Sequence, residues 1–305
     1  MNTASSKNNR FISLTAEEGG VLYSFAVFAV LLVSVIFSTV MAMASGGNAE
    51  FLKSDIVIII NFALGPIAIF LAIGVLRFRK RRWKLYAIDL TSFSVTPLIA
   101  TILIWLGLTF GLSEVNNLFV LGLQKLGLSV PAPSLPNKTV GGVIATILFV
   151  CVLPAVAEEA LFRGLILSGL KGTGTLFACL ISGALFSFFH MSPAQTVYQF
   201  IVGCVYALVI LYGKNIFYTV SMHFANNLYI VLNYYFFNFS FTGALKYIVM
   251  AVGILALIVG VIFLIKKCEK PTDSENKQET RVKFTLGALL GIIASVVTWI
   301  ATLVA

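Results

Sequence analysis

Twelve acidic residues and two histidines are present in this chain of 305 residues, and a few of them sit where charge is costly. Glu158 and Glu159 lie deep inside an apolar run, with Arg163 close behind. A charge near a bilayer centre costs at least ~2.5–3.5 kcal/mol on insertion scales, so such residues tend to face a protein interior and mark sites or pathways. Glu159 and Arg163 are four apart and share a helix face, which lets them pair. Glu158 lies about 100° round the helix and is left for other work. Both histidines also fall inside apolar runs: His190 ends Phe186-Ser187-Phe188-Phe189-His190, and His223 stands four residues before Asn227, on the same helix face. At 1.5 Å of rise per residue, counted from the basic or polar ends near Lys171, Thr175 and Lys214, Glu158 lies roughly 19 Å deep, His190 roughly 22 Å and His223 roughly 13 Å.

Three helices thus deliver carboxylate and imidazole to a similar depth. A carboxylate whose proton affinity is raised by its surroundings takes a proton from water near neutral pH. Imidazoles can hold that water, protonate a leaving amine or ligate a metal. An asparagine amide can donate to a developing oxyanion. Glu158, His190, His223 and Asn227 therefore suffice for peptide-bond hydrolysis by an activated water. No HExxH motif occurs, which removes the zincin pattern. No cofactor is required by this set. A zinc ion held by Glu158, His190 and His223 stays open, because these ligands come singly from different segments.

The elements that must position these groups are membrane helices. The chain is 59% hydrophobic and 11% charged, against ~25% charged in soluble domains. The expected fold is all-α: a polytopic transmembrane helical bundle of about eight to nine spans. Hydropathy places them at 21–44, 56–76, 93–112, 141–170, 175–191, 194–212, 216–236, 245–265 and 286–304. Residues 1–20 read as a disordered polar segment, 116–127 as a short interfacial helix, 172–174 as a turn and 266–284 as a mixed-charge linker. Pro154 should kink the fourth span and free backbone carbonyls. Ala42-Met43-Ala44 has the small-x-small form of a signal-peptidase site, but the run before it is too long for a signal peptide, so an uncleaved helix is expected. Cys151, Cys179, Cys204 and Cys268 lie in or beside apolar segments without CxxC spacing and read as small packing residues.

The net charge of +9 has a topological explanation rather than a nucleic-acid partner. With the N-terminus inside, sixteen lysines and arginines fall on the inner side, including six within 77–84, and four fall outside. This predicts a cytosolic N-terminus and contact of 77–84 with anionic headgroups.

In order along the chain, Glu158-Glu159 with Arg163, Phe186 with His190, and His223 with Asn227 form Glu-Glu-x-x-x-Arg, Phe-x-x-x-His and His-x-x-x-Asn. This resembles the CPBP family of intramembrane proteases, also called the Abi or CAAX-protease family, which includes the CAAX prenyl endopeptidase or Ras-converting enzyme. The resemblance covers residues 141–235. It implies Glu158 as the base that activates water, with His190 and His223 assisting, Asn227 at the oxyanion, and Glu159, Arg163 and Phe186 in support. It implies a glutamate-driven mechanism and leaves any metal unassigned.

The expected organisation is N-terminal membrane helices and a basic loop over 1–140, a catalytic core over 141–240, and C-terminal membrane helices with a linker over 241–305. The expected function is an intramembrane endopeptidase acting on a membrane-associated peptide or protein, lipidated or not. Its expected setting is the lipid bilayer of a bacterial plasma membrane, given short loops and few charges. The competing readings are a non-catalytic scaffold or bacteriocin-immunity protein, and a proton-coupled transporter. The lack of an internal repeat counts against the transporter.

Overall fold

The computed structural model describes residues 14–79, 93–130, 134–271 and 276–304, and every regular element among them is helical. The helices are α1 (Ala16–Ser45), α2 (Ala49–Leu52), α3 (Asp55–Arg79), α4 (Val95–Leu106, continued by a π turn at Gly107–Gly111) and α5 (Ser113–Lys125). They continue as α6 (Val140–Gly169), α7 (Thr175–Phe189), α8 (Thr196–Gly213), α9 (Ile216–Leu232, continued by a π turn at Asn233–Phe237), α10 (Gly243–Lys267) and α11 (Lys277–Val304). Among the described residues, seven helical stretches are long and apolar enough to cross a membrane, and α7 is apolar but shorter. With α9 they correspond to the expected spans, and the chain is a polytopic helical bundle.

Two boundaries depart from the hydropathy reading. The segment 14–20, expected to be disordered, starts a helix. Thr15 Oγ1 accepts from the Glu18 N–H at 3.3 Å while Glu18 Oε2 accepts from the Thr15 N–H at 2.9 Å, a reciprocal cap that closes the first turn. Residues 1–13 lie outside the described residues, as do 80–84 of the basic run and Pro131 and Pro133. The C-terminal helix likewise begins at Lys277, inside the expected linker. Its polar first turns are held by tertiary contacts: Arg281 Nε donates to the Thr173 carbonyl at 2.8 Å, its guanidinium lies 4.6 Å from the Phe177 ring, and Phe284 is buried. Residues 272–275 of the linker lie outside the described residues.

The helices approach through small residues, as membrane helices do when lipid offers no hydrophobic drive between them. α1 and α11 run parallel. Ser24 Oγ donates to Gly287 O at 2.8 Å and accepts from the Gly291 N–H at 3.0 Å, and Tyr23 Oη meets Ser295 Oγ at 3.3 Å. A Cβ on Gly20 or Gly287 would strike the facing backbone. α7 and α8 cross where Gly183 faces Gly203; a Cβ on Gly203 would lie 2.7 Å from Gly183 Cα. The turn before α7 uses positive φ at Gly172 (85°) and Gly174 (97°), which glycine adopts without steric cost.

One end of the bundle gathers Leu14, whose N–H donates to Ser168 Oγ, with Thr173, Arg281 and the Lys214–Glu269 ion pair. The other end gathers Asp55 with Asn137, Glu114 with Lys246, and the Ser129 N–H with Leu303 O. The main core runs from Leu14 to Ala288 and surrounds the face of α6 that carries Glu159 and Arg163.

Candidate active site

α6 is not a uniform helix. It passes from α into a π segment at Ile147–Val152, back to α at Leu153–Glu159, and into π again at Ala160–Ile166. The first irregularity has a local cause. Pro154 has no N–H for the carbonyl four residues back, Val150, and its ring crowds that carbonyl. The free carbonyl is taken up by another helix: Asn227 Nδ2 on α9 donates to Val150 O at 2.9 Å. Such π segments concentrate at functional sites, and here they bracket the Glu-Glu pair.

Glu159 and Arg163 are both fully buried and pair at 2.8 Å through Arg163 Nη1 and Glu159 Oε1, as their spacing predicts. The same Oε1 accepts from His223 Nδ1 at 3.0 Å. The guanidinium sits among aromatic faces, 4.3 Å from Phe186, 5.1 Å from Tyr206 and 5.8 Å from Phe162. Those faces supply cation–π attraction where Arg163 Nε and Nη2 have no hydrogen-bond acceptor. This cluster ties α6, α7, α8 and α9 together.

Glu158 points elsewhere. Its Oε2 lies 3.7 Å from His190 Nε2 and 4.0 Å from His223 Nε2, and this oxygen is buried without a hydrogen-bond partner. The Glu158 and His190 side chains keep 14% and 15% of their exposure, against 0% for Glu159. His190 stands at the C-terminal end of α7, where the chain reverses through Met191 at φ 48°. Its Nδ1–H donates to the Phe186 carbonyl at 2.8 Å. The Nδ1 atoms of both histidines therefore face acceptors, which places their protons there and turns both Nε2 lone pairs toward Glu158. Three acceptor atoms converge on one spot without a donor between them.

A proton-bearing or cationic species belongs at that spot. A water can donate to two of the three acceptors. Zinc suits the donor types, but tetrahedral zinc with 2.0–2.1 Å bonds sets its ligands about 3.3–3.4 Å apart. The separations here are wider, and among the described residues no three His, Cys, Asp or Glu side chains form a metal-holding group. As they stand, these residues fit a shared water and do not fit zinc.

Six of the seven residues singled out in the sequence thus fall into two sets. Glu158, His190 and His223 meet around one oxygen. Glu159, Arg163 and Phe186 form the packing beneath them, with His223 belonging to both. Asn227 sits one turn beyond His223 on α9 with one amide hydrogen committed to Val150 O. Sequence reasoning missed Tyr206, whose ring lies 6.2 Å from that of His223. It also missed Tyr198 and Asn226, which join each other through Tyr198 Oη and Asn226 Oδ1 at 2.7 Å. Asn226 adjoins a motif residue and is polar within an apolar span, a signal that was available.

Residues 140–229 match the family described as Rce1-like, type II CAAX prenyl endopeptidase Rce1-like. The match spans α6 to most of α9 and bears out the family resemblance drawn from the Glu-Glu, Phe–His and His–Asn motifs. No curated protein and no solved structure matches the chain.

Proposed function

We propose that this multi-pass membrane protein, with its segment of the CAAX-endopeptidase type, hydrolyses a peptide bond of a membrane-associated peptide or protein, and that Glu158 is the base. The observation that carries the reading is the partnerless Glu158 oxygen facing two imidazole nitrogens at 3.7 and 4.0 Å.

A water seated there gives one hydrogen to Glu158 Oε2 and the other to an imidazole Nε2. Its oxygen lone pair is then turned toward the incoming carbonyl carbon. As the C–O bond forms, Glu158 takes the proton and the carbonyl oxygen gains negative charge. Asn227, with one amide hydrogen on Val150 O, has a second for that oxyanion, the kind of fixed dipole that is worth ~3–4 kcal/mol in a dry site. Protonated Glu158 then returns its proton to the leaving nitrogen, the C–N bond breaks, and an amine and a carboxylic acid depart. Glu159 and Arg163 hold the His223 ring so that its Nε2 faces the water. Phe186 fixes His190 through its carbonyl. A base of this kind contributes ~10²–10⁴-fold.

The lysine and arginine distribution supports a cytosolic N-terminus and, with the short loops, a bacterial plasma membrane. The test is cleavage of quenched fluorescent peptides, lipidated and unlipidated, by detergent-purified protein beside Glu158→Gln and His223→Ala, with and without phenanthroline. Turnover by wild type alone supports the reading. A Glu158→Gln variant that still cleaves rejects it. Loss of turnover in phenanthroline alone would replace the metal-free scheme.

A further inference from the structure

Behind the candidate oxyanion donor runs a chain of polar groups that crosses three helices. Tyr198 on α8 donates its hydroxyl hydrogen to Asn226 Oδ1 at 2.7 Å. Asn226 Nδ2 reaches Asn227 Oδ1 at 3.4 Å, and Asn227 Nδ2 donates to Val150 O at 2.9 Å. Asn226 is buried and Tyr198 is mostly enclosed. The start of Tyr198's own helix is braced by two further helices. Asn116 on α5 accepts from the Tyr198 N–H at 3.3 Å through Oδ1 and donates to Ala194 O through Nδ2 at 2.5 Å. In this way a residue from a different helix caps the otherwise uncapped first turn of α8. Trp299 Nε1 on α11 donates to Thr196 Oγ1 at 2.7 Å.

The chain has a direction, and the direction fixes both amides. An asparagine amide can face either way unless its neighbours decide. Val150 O, left free by Pro154, can only accept, so Asn227 presents Nδ2 to it and Oδ1 to Asn226. Asn226 therefore presents Nδ2 to Asn227 and Oδ1 to Tyr198. The Tyr198 hydroxyl, facing that oxygen, donates and closes the chain. With both ends terminated, the second N–H of Asn227 has one setting.

We infer that Tyr198 and Asn226 are positioning residues for the reaction: they hold the Asn227 amide with its free N–H toward the developing oxyanion. The inference rests on the proposed endopeptidase reading and adds two residues to it that lie outside the three motifs. Without the Tyr198 hydroxyl, Asn226 can turn over, and Asn227 Oδ1 then loses its donor, which leaves the amide anchored at Val150 O and free to swing about that contact. Both residues act through the Asn227 amide, which is called on as charge builds on the oxyanion. The loss therefore falls on kcat.

The experiment measures kcat and KM for wild type, Tyr198→Phe, Asn226→Asp, Asn227→Ala and the Tyr198→Phe/Asn227→Ala double variant. Asn226→Asp keeps the oxygen facing Tyr198 and removes the hydrogen given to Asn227, so it serves as a second probe should Tyr198→Phe fold poorly. The expected result is a roughly 10-fold fall in kcat for either single positioning variant with KM unchanged. Asn227→Ala falls about 10²-fold, and Tyr198→Phe adds nothing to it. Losses that multiply in the double variant, or that appear in KM, overturn the inference and leave the Glu158 reading intact. The side-chain amide resonances of protein labelled with ¹⁵N-asparagine, followed in Tyr198→Phe, need no turnover. A displaced Asn227 signal supports the inference, and an unmoved one overturns it even if wild type proves inactive and the endopeptidase reading fails.

Discussion

Glu158 and Glu159 are neighbours in sequence, sit on one helix and share one chemistry, yet they live in opposite surroundings. Glu159 is sealed, pairs with Arg163 at 2.8 Å and receives the His223 Nδ1–H at 3.0 Å. Glu158 retains some exposure and has its nearest imidazole nitrogens at 3.7 and 4.0 Å, too far for a direct hydrogen bond. One carboxylate is consumed by structure and the other is held in reserve. The difference comes from rotation. One residue along a helix turns the side chain by about 100°, enough to exchange the arginine and the aromatic box for a gap between two helix faces. An acid whose buried oxygen faces only acceptors has been left for a molecule that brings hydrogens.

Swapping the two acids' roles in the laboratory should break the comparison in opposite ways. The largest expected effect is on Glu158: Glu158→Gln should lower turnover by ~10²–10⁴-fold, while thermal unfolding in detergent stays close to wild type. Turnover that persists would remove the distinction between the two acids. On the other side, Arg163→Met should leave Glu159 buried without its counter-ion, with the His223 Nδ1–H still on it. Truncating one partner of a buried pair costs ~3–5 kcal/mol, so folded yield and melting temperature should both drop sharply. A double variant, Arg163→Met with Glu159→Leu, removes both charges and should recover much of that stability, without recovering cleavage, because His223 loses the acceptor for its Nδ1–H.

A smaller effect sharpens the account of how α9 is docked. Pro154→Ala restores an N–H to α6 near the carbonyl that Asn227 now satisfies. The two donors then compete for Val150 O. We expect turnover to fall by a few-fold, roughly 1 kcal/mol of positioning, with stability unchanged or slightly raised by the better helix former. An equal fall in Asn227→Ala and Pro154→Ala/Asn227→Ala would place the whole effect on that one hydrogen bond.

Much of the local arrangement was legible beforehand. The helix spans follow from hydropathy, and the Glu159–Arg163 pair follows from i,i+4 spacing. The turn at 172–174 and the short helix near 116–127 also appear as read. The boundaries at Ala16 and Lys277 were not legible, because residues 14–20 and 277–284 are polar by composition. They fold as helix because the Thr15–Glu18 cap closes one end and because Arg281 and Phe284 find partners on distant segments.

The sequence by itself determined which residues could do chemistry: the only acids deep in the apolar runs, both histidines, and the order in which successive helices present them. These are consequences of helical period and of the cost of burying charge, and both are local. The tertiary structure alone decided that His223 is shared between the two glutamates, that Val150 O is the acceptor for Asn227, and that Tyr198 stands behind Asn226. Those pairings depend on which helix faces approach, on the glycine contacts that let them approach, and on the rotation of each helix about its axis. No spacing within one segment encodes the identity of a partner on another.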